Sequence, residues 1–321
     1  VYCSSKAYSR KLPEIYGAKL KYIPLRANGI QSIPYDIWSI LSALKSADVL
    51  LILGVGGCIV LPFLKLFGCR KKLIVNIDGL EWRRSKWNPP AKSFLKFSER
   101  TAVRFCDHVI GDNKVISDYV EQEYHHSCSL IEYGADHQEP QKISAASLAA
   151  YPFLSHAYAF GVCRIEPENN VHLVLRAFAD PSCSLPLVMV GNWSKGAYGQ
   201  KLYETYRGHG NIHLLDPVYD QKKLNELRSN CILYIHGHSC GGTNPSLIEA
   251  MHLGLPVAAF DVNFNQETTE YKALYFASSE ELLRIIGEKR VTEWRKIGDA
   301  MREIAGRRYT WKRIGQCYAE L

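Results

Sequence analysis

Short apolar bursts alternate with stretches of helical period along most of the chain. In the first half, residues 21–24, 49–53, 73–77, 108–110 and 129–131 read as strands, with helices such as 35–45 and 91–105 between them. A second series follows, with strands at 157–162, 187–190, 212–214, 232–235 and 256–260 and helices at 171–178, 222–228 and 245–252. Strands that alternate with helices predict an α/β fold in which helices cover parallel sheets. Between the two series, residues 137–155 show no clear strand, carry Glu139-Pro140 and then run into small residues, so they are the expected linker. The tail from 292 to 321 has an amphipathic helical pattern bearing Trp294, Trp311 and Tyr318, expected to pack back on the first half. The predicted architecture is two doubly wound halves facing across a cleft, divided as 1–155, 156–305 and a crossing-back helix 306–321. The opening Val1-Tyr2-Cys3 reads as the end of a strand already under way, so a segment upstream is expected.

A length of 321 residues, 47% of them hydrophobic, suits two domains of ordinary size. The ten cysteines show no C-x-x-C pair, which predicts reduced thiols in a cytosolic protein and no zinc site. The longest uncharged run, 49–64, contains three glycines and a proline, and it falls short of the roughly 20 apolar residues of a membrane span. Net charge is +7, too little for a dedicated nucleic-acid binder, and it is concentrated. Residues 65–104 hold eleven Lys or Arg against three acids. Such a stretch is either a solvated helical face or a surface for anionic lipid headgroups, which implies a peripheral position on the inner face of a membrane.

Candidate chemistry gathers in two loops of the second half. In His236-Gly237-His238-Ser239-Cys240-Gly241-Gly242-Thr243-Asn244-Pro245, a strand ends in small residues and a helix begins. Gly241 and Gly242 allow close approach, Thr243 or Asn244 can cap the helix, and Pro245 suits its first turn, so free N–H groups and the helix dipole converge on an anion-sized spot. One turn on, Glu249 is positioned to accept from a ribose diol. The companion loop, 161–170, puts Arg164 between strand and helix, where a guanidinium can fork onto phosphate oxygens. His238 is either a donor to a sugar or phosphate or a histidine that satisfies backbone groups. Gly191-Asn192-Trp193 and Val218-Tyr219 follow the next two strands and are expected at the same ligand.

In the first half, Asp78 and Glu81 lie just beyond the strand 73–77, the edge where open α/β sheets hold ligands. Glu81 can instead pair with Arg83 or Arg84, and Trp82 and Trp87 serve either as core or as platforms for sugars. Gly54-Val55-Gly56-Gly57 either approaches a substrate through Gly56 and Gly57 or permits a tight turn.

The two loops of the second half resemble the donor site of family 4 GT-B glycosyltransferases, and residues 215–219 resemble the place where those enzymes hold the nucleotide base, which Tyr219 would stack on. Residues 76–87, 163–170 and 236–251 are similar to a bacterial subgroup of capsule and rhamnose-polysaccharide rhamnosyltransferases, whose N-terminal domain is of the DUF1972 type. The resemblance covers nearly the whole chain. It implies a transfer from a nucleotide diphosphate sugar, with dTDP-rhamnose first, to a lipid-linked saccharide, with retention and without a metal or other cofactor. It makes Asp78, Glu81, Arg164 and His238 catalytic, puts Asn169 with the donor-binding residues, and sets Gly56, Gly57 and Trp82 on the acceptor side. Two positions depart from the wider family: Gly241 stands at the first glutamate of its E-x7-E motif, and Asn169 at its lysine. A non-catalytic nucleotide-sugar-binding partner of a polysaccharide assembly complex, or an epimerase on the same scaffold, are the competing readings.

Overall fold

A computed structural model describes all residues except Ser9, Ser85, Lys86, Lys289 and Arg290, together with the side chain of Val291. Two members of the tryptophan-flanked motif, Ser85 and Lys86, therefore lie outside the described residues. The chain forms two compact units, Val1–Ile131 and Glu132–Leu321.

The first unit contains a four-stranded parallel sheet in the order Val49–Leu53, Lys72–Asn76, His108–Gly111, Ser129–Leu130. Tyr2–Ser4 and Lys21–Ile23 make a separate parallel pair, and Glu14–Ile15 with Ala18–Lys19 a small hairpin. Strand Lys72–Asn76 is nearly all buried, as a parallel strand with two covered faces should be. Val49–Leu53 differs because it is an edge strand: Leu50 and Ile52 are buried, whereas Val49, Leu51 and Leu53 are exposed. The long helix Pro89–Phe105 starts where Asn88 accepts from the Ala91 N–H at 3.1 Å and prolines occupy the first turn, and it buries Leu95, Ala102 and Val103.

The second unit has six parallel strands in the order Ile212–Leu215, Leu187–Val190, Ala159–Val162, Leu233–His236, Val257–Phe260, Leu274–Phe276. Counted along the chain this is 3-2-1-4-5-6, so the direction of winding reverses between Ala159–Val162 and Leu233–His236. In such sheets a crevice opens beyond the carboxyl ends of those two strands. Two cores, one on each face, hold the sheet, the first built on Phe160, Tyr234, Leu247 and Met251 and the second on Ile165, Leu175, Met189 and Trp294.

The segment expected as a linker belongs to this second unit. Ser144 caps the short helix Ala145–Ala150, and its N–H and hydroxyl both donate to Glu226 at 3.2 and 2.9 Å. Leu154 is buried in the first of the two cores. Few apolar residues are needed when side-chain hydrogen bonds fix a segment, which is why its composition reads as loop. The tail is two helices, Val291–Arg308 and Trp311–Ala319, broken at Tyr309, which is buried and donates its hydroxyl to Thr268 O at 2.7 Å. Within the same unit Trp311 lies against Gly134 and donates Nε1–H to His137 at 3.1 Å.

Candidate donor and acceptor sites

The two loops at the point of reversal are tied together. Asn170 Nδ2 donates to Gly237 O at 3.0 Å, and Ser239 donates to Glu168 O from its backbone at 2.9 Å and its hydroxyl at 2.8 Å. The backbone of Gly237 comes so close to this loop that a Cβ there would sit 2.3 Å from Asn169 O. Asn169 is buried, and its amide donates to Arg164 O at 2.7 Å, so it shapes the arginine loop from inside.

Arg164 itself points outward. Its side chain is 56% exposed, with Glu166 at 3.6 Å. It lines a hollow of about 330 Å³ with Gly191, Asn192, Lys195, Val218 and Tyr219. That volume lies at the small end of the range for ligand sites. Gly191 is required there, since a Cβ would lie 2.4 Å from Ile165 Cδ1 and 2.8 Å from Cys163 O. Tyr219 is 84% exposed, open to a planar partner. Trp193 is buried and donates to Leu215 O at 2.9 Å, so it braces the hollow's wall. Lys195 was not foreseen: it supplies a second cation from another loop, and no motif marks it.

Beyond Leu233–His236, Gly241 takes φ +123°, a conformation suited to glycine. Among the described residues the N–H groups of Gly241, Gly242, Asn244 and Ser246 have no hydrogen-bond partner. Gly242 is buried all the same. Free N–H groups at the start of helix Pro245–His252 make a ready anion cradle. The His238 ring stacks on His236 at 4.3 Å. His236 is buried with neither ring nitrogen partnered, and burial holds its pKa well below the usual value, so it stays neutral. Glu249 has a 20%-exposed side chain and pairs with Arg228.

In the first unit a separate pocket of about 450 Å³ is lined by Asp36, Gly56, Asp78, Glu81, Trp87 and Phe94, among others. Asp78 has φ +59°, unusual for a residue with a Cβ, and its N–H donates to Asn76 Oδ1 at 2.9 Å. Glu81 accepts from Trp87 Nε1 at 3.0 Å and pairs with Arg84 at 3.0 Å. Trp82 lies outside this lining, packed beneath Lys96 and Arg83, which stand 4.7 and 5.1 Å from its ring. Trp87 is the aromatic wall in its place. Gly57 lets the loop touch helix Ser32–Ala43, for a Cβ would lie 2.9 Å from both Asp36 C and Ile37 N.

Asp36 was missed by sequence reading, because it sits in an apolar helix with no motif around it. Its carboxyl is without a hydrogen bond or ion pair among the described residues, and burial pushes it up to about 6. A native value above the unfolded one, about 3.9, means that the folded state holds this proton more tightly. The stabilisation it gives is complete below about pH 4 and lost as the pH rises through about 6. Asp36→Asn is therefore expected to raise the melting temperature at pH 7.5 by roughly 3 °C and to leave it unchanged at pH 4. A fall at pH 7.5 in a thermal melt would contradict this.

All ten cysteines are free. Among the described residues no group of three His, Cys, Asp or Glu is placed to hold a metal ion, and no helix is long and apolar enough to cross a membrane.

Residues 2–136 match the family model described as "Domain of unknown function (DUF1972)", and residues 154–277 match "Glycosyl transferases group 1". Sucrose-phosphate synthase from Thermosynechococcus elongatus is similar in structure, with TM-score 0.74 and 15% identity over 96% of this chain and 84% of that one. Anabaena HepE in complex with UDP has TM-score 0.71 and 17% identity over 95% and 86% of the two chains. A glycosyltransferase from Rickettsia africae gives TM-score 0.71 at 14% identity over 94% and 84%. No curated protein sequence matches the chain.

Proposed function

Because the chain belongs to the GT-B glycosyltransferases of the family 4 type, with a DUF1972 domain followed by a group 1 glycosyl transferase domain, we propose that its second unit binds a nucleoside diphosphate sugar and transfers the sugar to a saccharide acceptor. The observation that carries the reading is the set of unpartnered N–H groups at Gly241, Gly242, Asn244 and Ser246, on a loop tied to the one that bears Arg164. Arg164 and those amides would stabilise the charge that grows on the departing diphosphate, the main task of such a transfer. Lys195 adds a second cation where Asn169 offers none. Val218 and Tyr219 would meet the base, and Gly191 and Asn192 the diphosphate.

HepE has been solved with UDP-glucose. For this chain the donor we favour is dTDP-rhamnose, from the subgroup resemblance, with a lipid-linked saccharide as acceptor and retention at the anomeric carbon. The pocket beside Asp78 and Glu81 would take the acceptor sugar, since it offers carboxylates to hydroxyls and Trp87 as a platform. With cationic side chains and amides at the diphosphate, the transfer needs no metal in this reading.

A cytoplasmic enzyme held at the inner membrane surface fits a lipid-linked acceptor. Lys92, Arg100 and Arg104 lie on helix Pro89–Phe105 beside exposed Phe97, while Lys96 between them is paired with Glu123 at 2.9 Å. Other cations of the basic stretch are neutralised locally, Lys65 by Asp107 and Lys71 by Asp48. Co-flotation with phosphatidylglycerol vesicles, absent with phosphatidylcholine, is the expected behaviour.

Thermal melts with dTDP, UDP and GDP test the donor site. A specific rise with one of them, as binding to the native state requires, supports the reading and names the base. No rise with any at millimolar concentration would overturn it.

A further inference from the structure

Arg228, near the end of helix Gln221–Ser229, is fully buried in the second unit. A guanidinium keeps its charge at any ordinary pH, so removing it from water is costly unless its donors are met. Its two terminal nitrogens have specific partners, and Nε has none among the described residues. Nη1 donates to Glu249 Oε2, and Nη2 donates to Gln138 Oε1 at 3.1 Å and to Asn225 Oδ1 at 2.8 Å. Gln138 closes a ring, for its Nε2 donates to Glu249 Oε1 at 3.1 Å.

Each carboxylate oxygen of Glu249 is thus held by one donor, and the two donors come from different parts of the chain. Rotation about the last side-chain bond of Glu249 would break both. Each oxygen still has lone-pair capacity, and the side chain is 20% exposed where Arg228 is wholly covered. The guanidinium holds the carboxylate from its covered side, and on the exposed side His137 Nε2 stands 3.8 Å from Oε1.

A buried ion pair is weak evidence for stability, since apolar residues of similar size often serve a core as well or better. Here the pair ends on the acid that lies one turn into the helix behind the Gly241–Asn244 loop. We propose that Arg228, together with Gln138, is a positioning residue that holds the Glu249 carboxylate in the orientation that accepts from the donor's ribose, through both hydroxyls of a ribonucleotide or the single 3′-hydroxyl of a dTDP sugar. This rests on the donor-site reading given above.

The test uses whichever of UDP, dTDP and GDP binds the wild-type protein best, together with its 2′,3′-dideoxy counterpart, measured by titration calorimetry. Glu249→Gln is expected to weaken the hydroxyl-bearing ligand about 10-fold, a typical effect of losing a charged hydrogen bond. Arg228→Met should weaken it to a similar extent, and the double variant no further, because the two act as one unit. The dideoxy ligand should bind all of them equally, which a merely structural role for Arg228 would not produce. Arg228→Lys, which keeps a donor toward Glu249, should recover most of the loss.

Should Arg228→Met fail to fold, Gln138→Met removes the second arm and should lower affinity for the hydroxyl-bearing ligand alone. Wild-type affinity in the Arg228 or Gln138 variants beside a weakened Glu249→Gln would overturn the proposal, as would equal losses for both ligands. If none of the three diphosphates binds the wild-type protein, the donor-site reading itself fails.

Discussion

Arg164→Ala is expected to cut turnover about 100-fold while leaving the melting temperature within a degree or so of wild type. The magnitude follows from the job assigned to it: removing one group that stabilises developing negative charge typically costs about 100-fold or more in rate. The stability half follows from where it sits. The side chain is mostly exposed, and its ion partner, Glu166, is 3.6 Å away, a surface pair worth little to the fold. Lys195→Ala should cost less, since an ammonium on an exposed loop is not held in one geometry. Rates for Arg164→Ala near those of wild type, with nucleotide affinity unchanged, would remove the guanidinium from the mechanism. A fall in rate with a matching loss of melting temperature would recast Arg164 as structural.

Gly237→Ala should have the largest effect on stability of any single methyl group in the donor loops. A Cβ at this position would lie 2.3 Å from Asn169 O, a backbone atom that cannot swing aside as the end of a side chain can. The strand end and the arginine loop would have to part, straining the Asn170-to-Gly237 and Ser239-to-Glu168 hydrogen bonds that join them. Overpacking of this kind costs about 2 kcal/mol, or roughly 6 °C in a unit of this size. Nucleotide affinity should fall as well, because the Arg164 loop and the free amides would no longer be in register. Scanning calorimetry together with a nucleotide titration checks both. A variant that melts like wild type would mean that the loops are not packed as described.

Much of this architecture was legible in the pattern of apolar residues. Strands of the second unit such as Leu187–Val190 stand out because a parallel strand buried on both faces must be apolar throughout. The glycine loop before Pro245–His252 was equally plain, since only small residues permit its backbone. Segments held by polar contacts were not. The run from 137 to 155 looked like a linker because its apolar residues, Ile143, Tyr151, Phe153 and Leu154, follow neither a strand nor a helix period, and Ser144 and Gln141 tie the rest to helix Gln221–Ser229.

The site residues divide in the same way. Arg164 and Glu249 could be picked out because one lies in, and the other one turn beyond, the two loops where the winding of the sheet reverses. Asp36, Lys195 and Arg228 could not, because each reaches its site from an element with no motif. For Arg228 one signal was available: an arginine on an otherwise ordinary helix gives no sign of burial, but Leu224 and Leu227 beside it mark the inward face. Trp82 and Trp87 could not be told apart by sequence, and only the fold assigns Trp87 to the pocket and Trp82 to the underside of Lys96.

The most direct measurement is release of free nucleoside diphosphate from a panel of nucleotide sugars, dTDP-rhamnose and UDP-glucose among them, with and without added saccharide acceptors. The account predicts catalytic release that rises when an acceptor is present and collapses in Arg164→Ala. Binding of the nucleotide sugar with no turnover under any acceptor would contradict it, and would leave a protein that holds its ligand as a non-catalytic partner in an assembly.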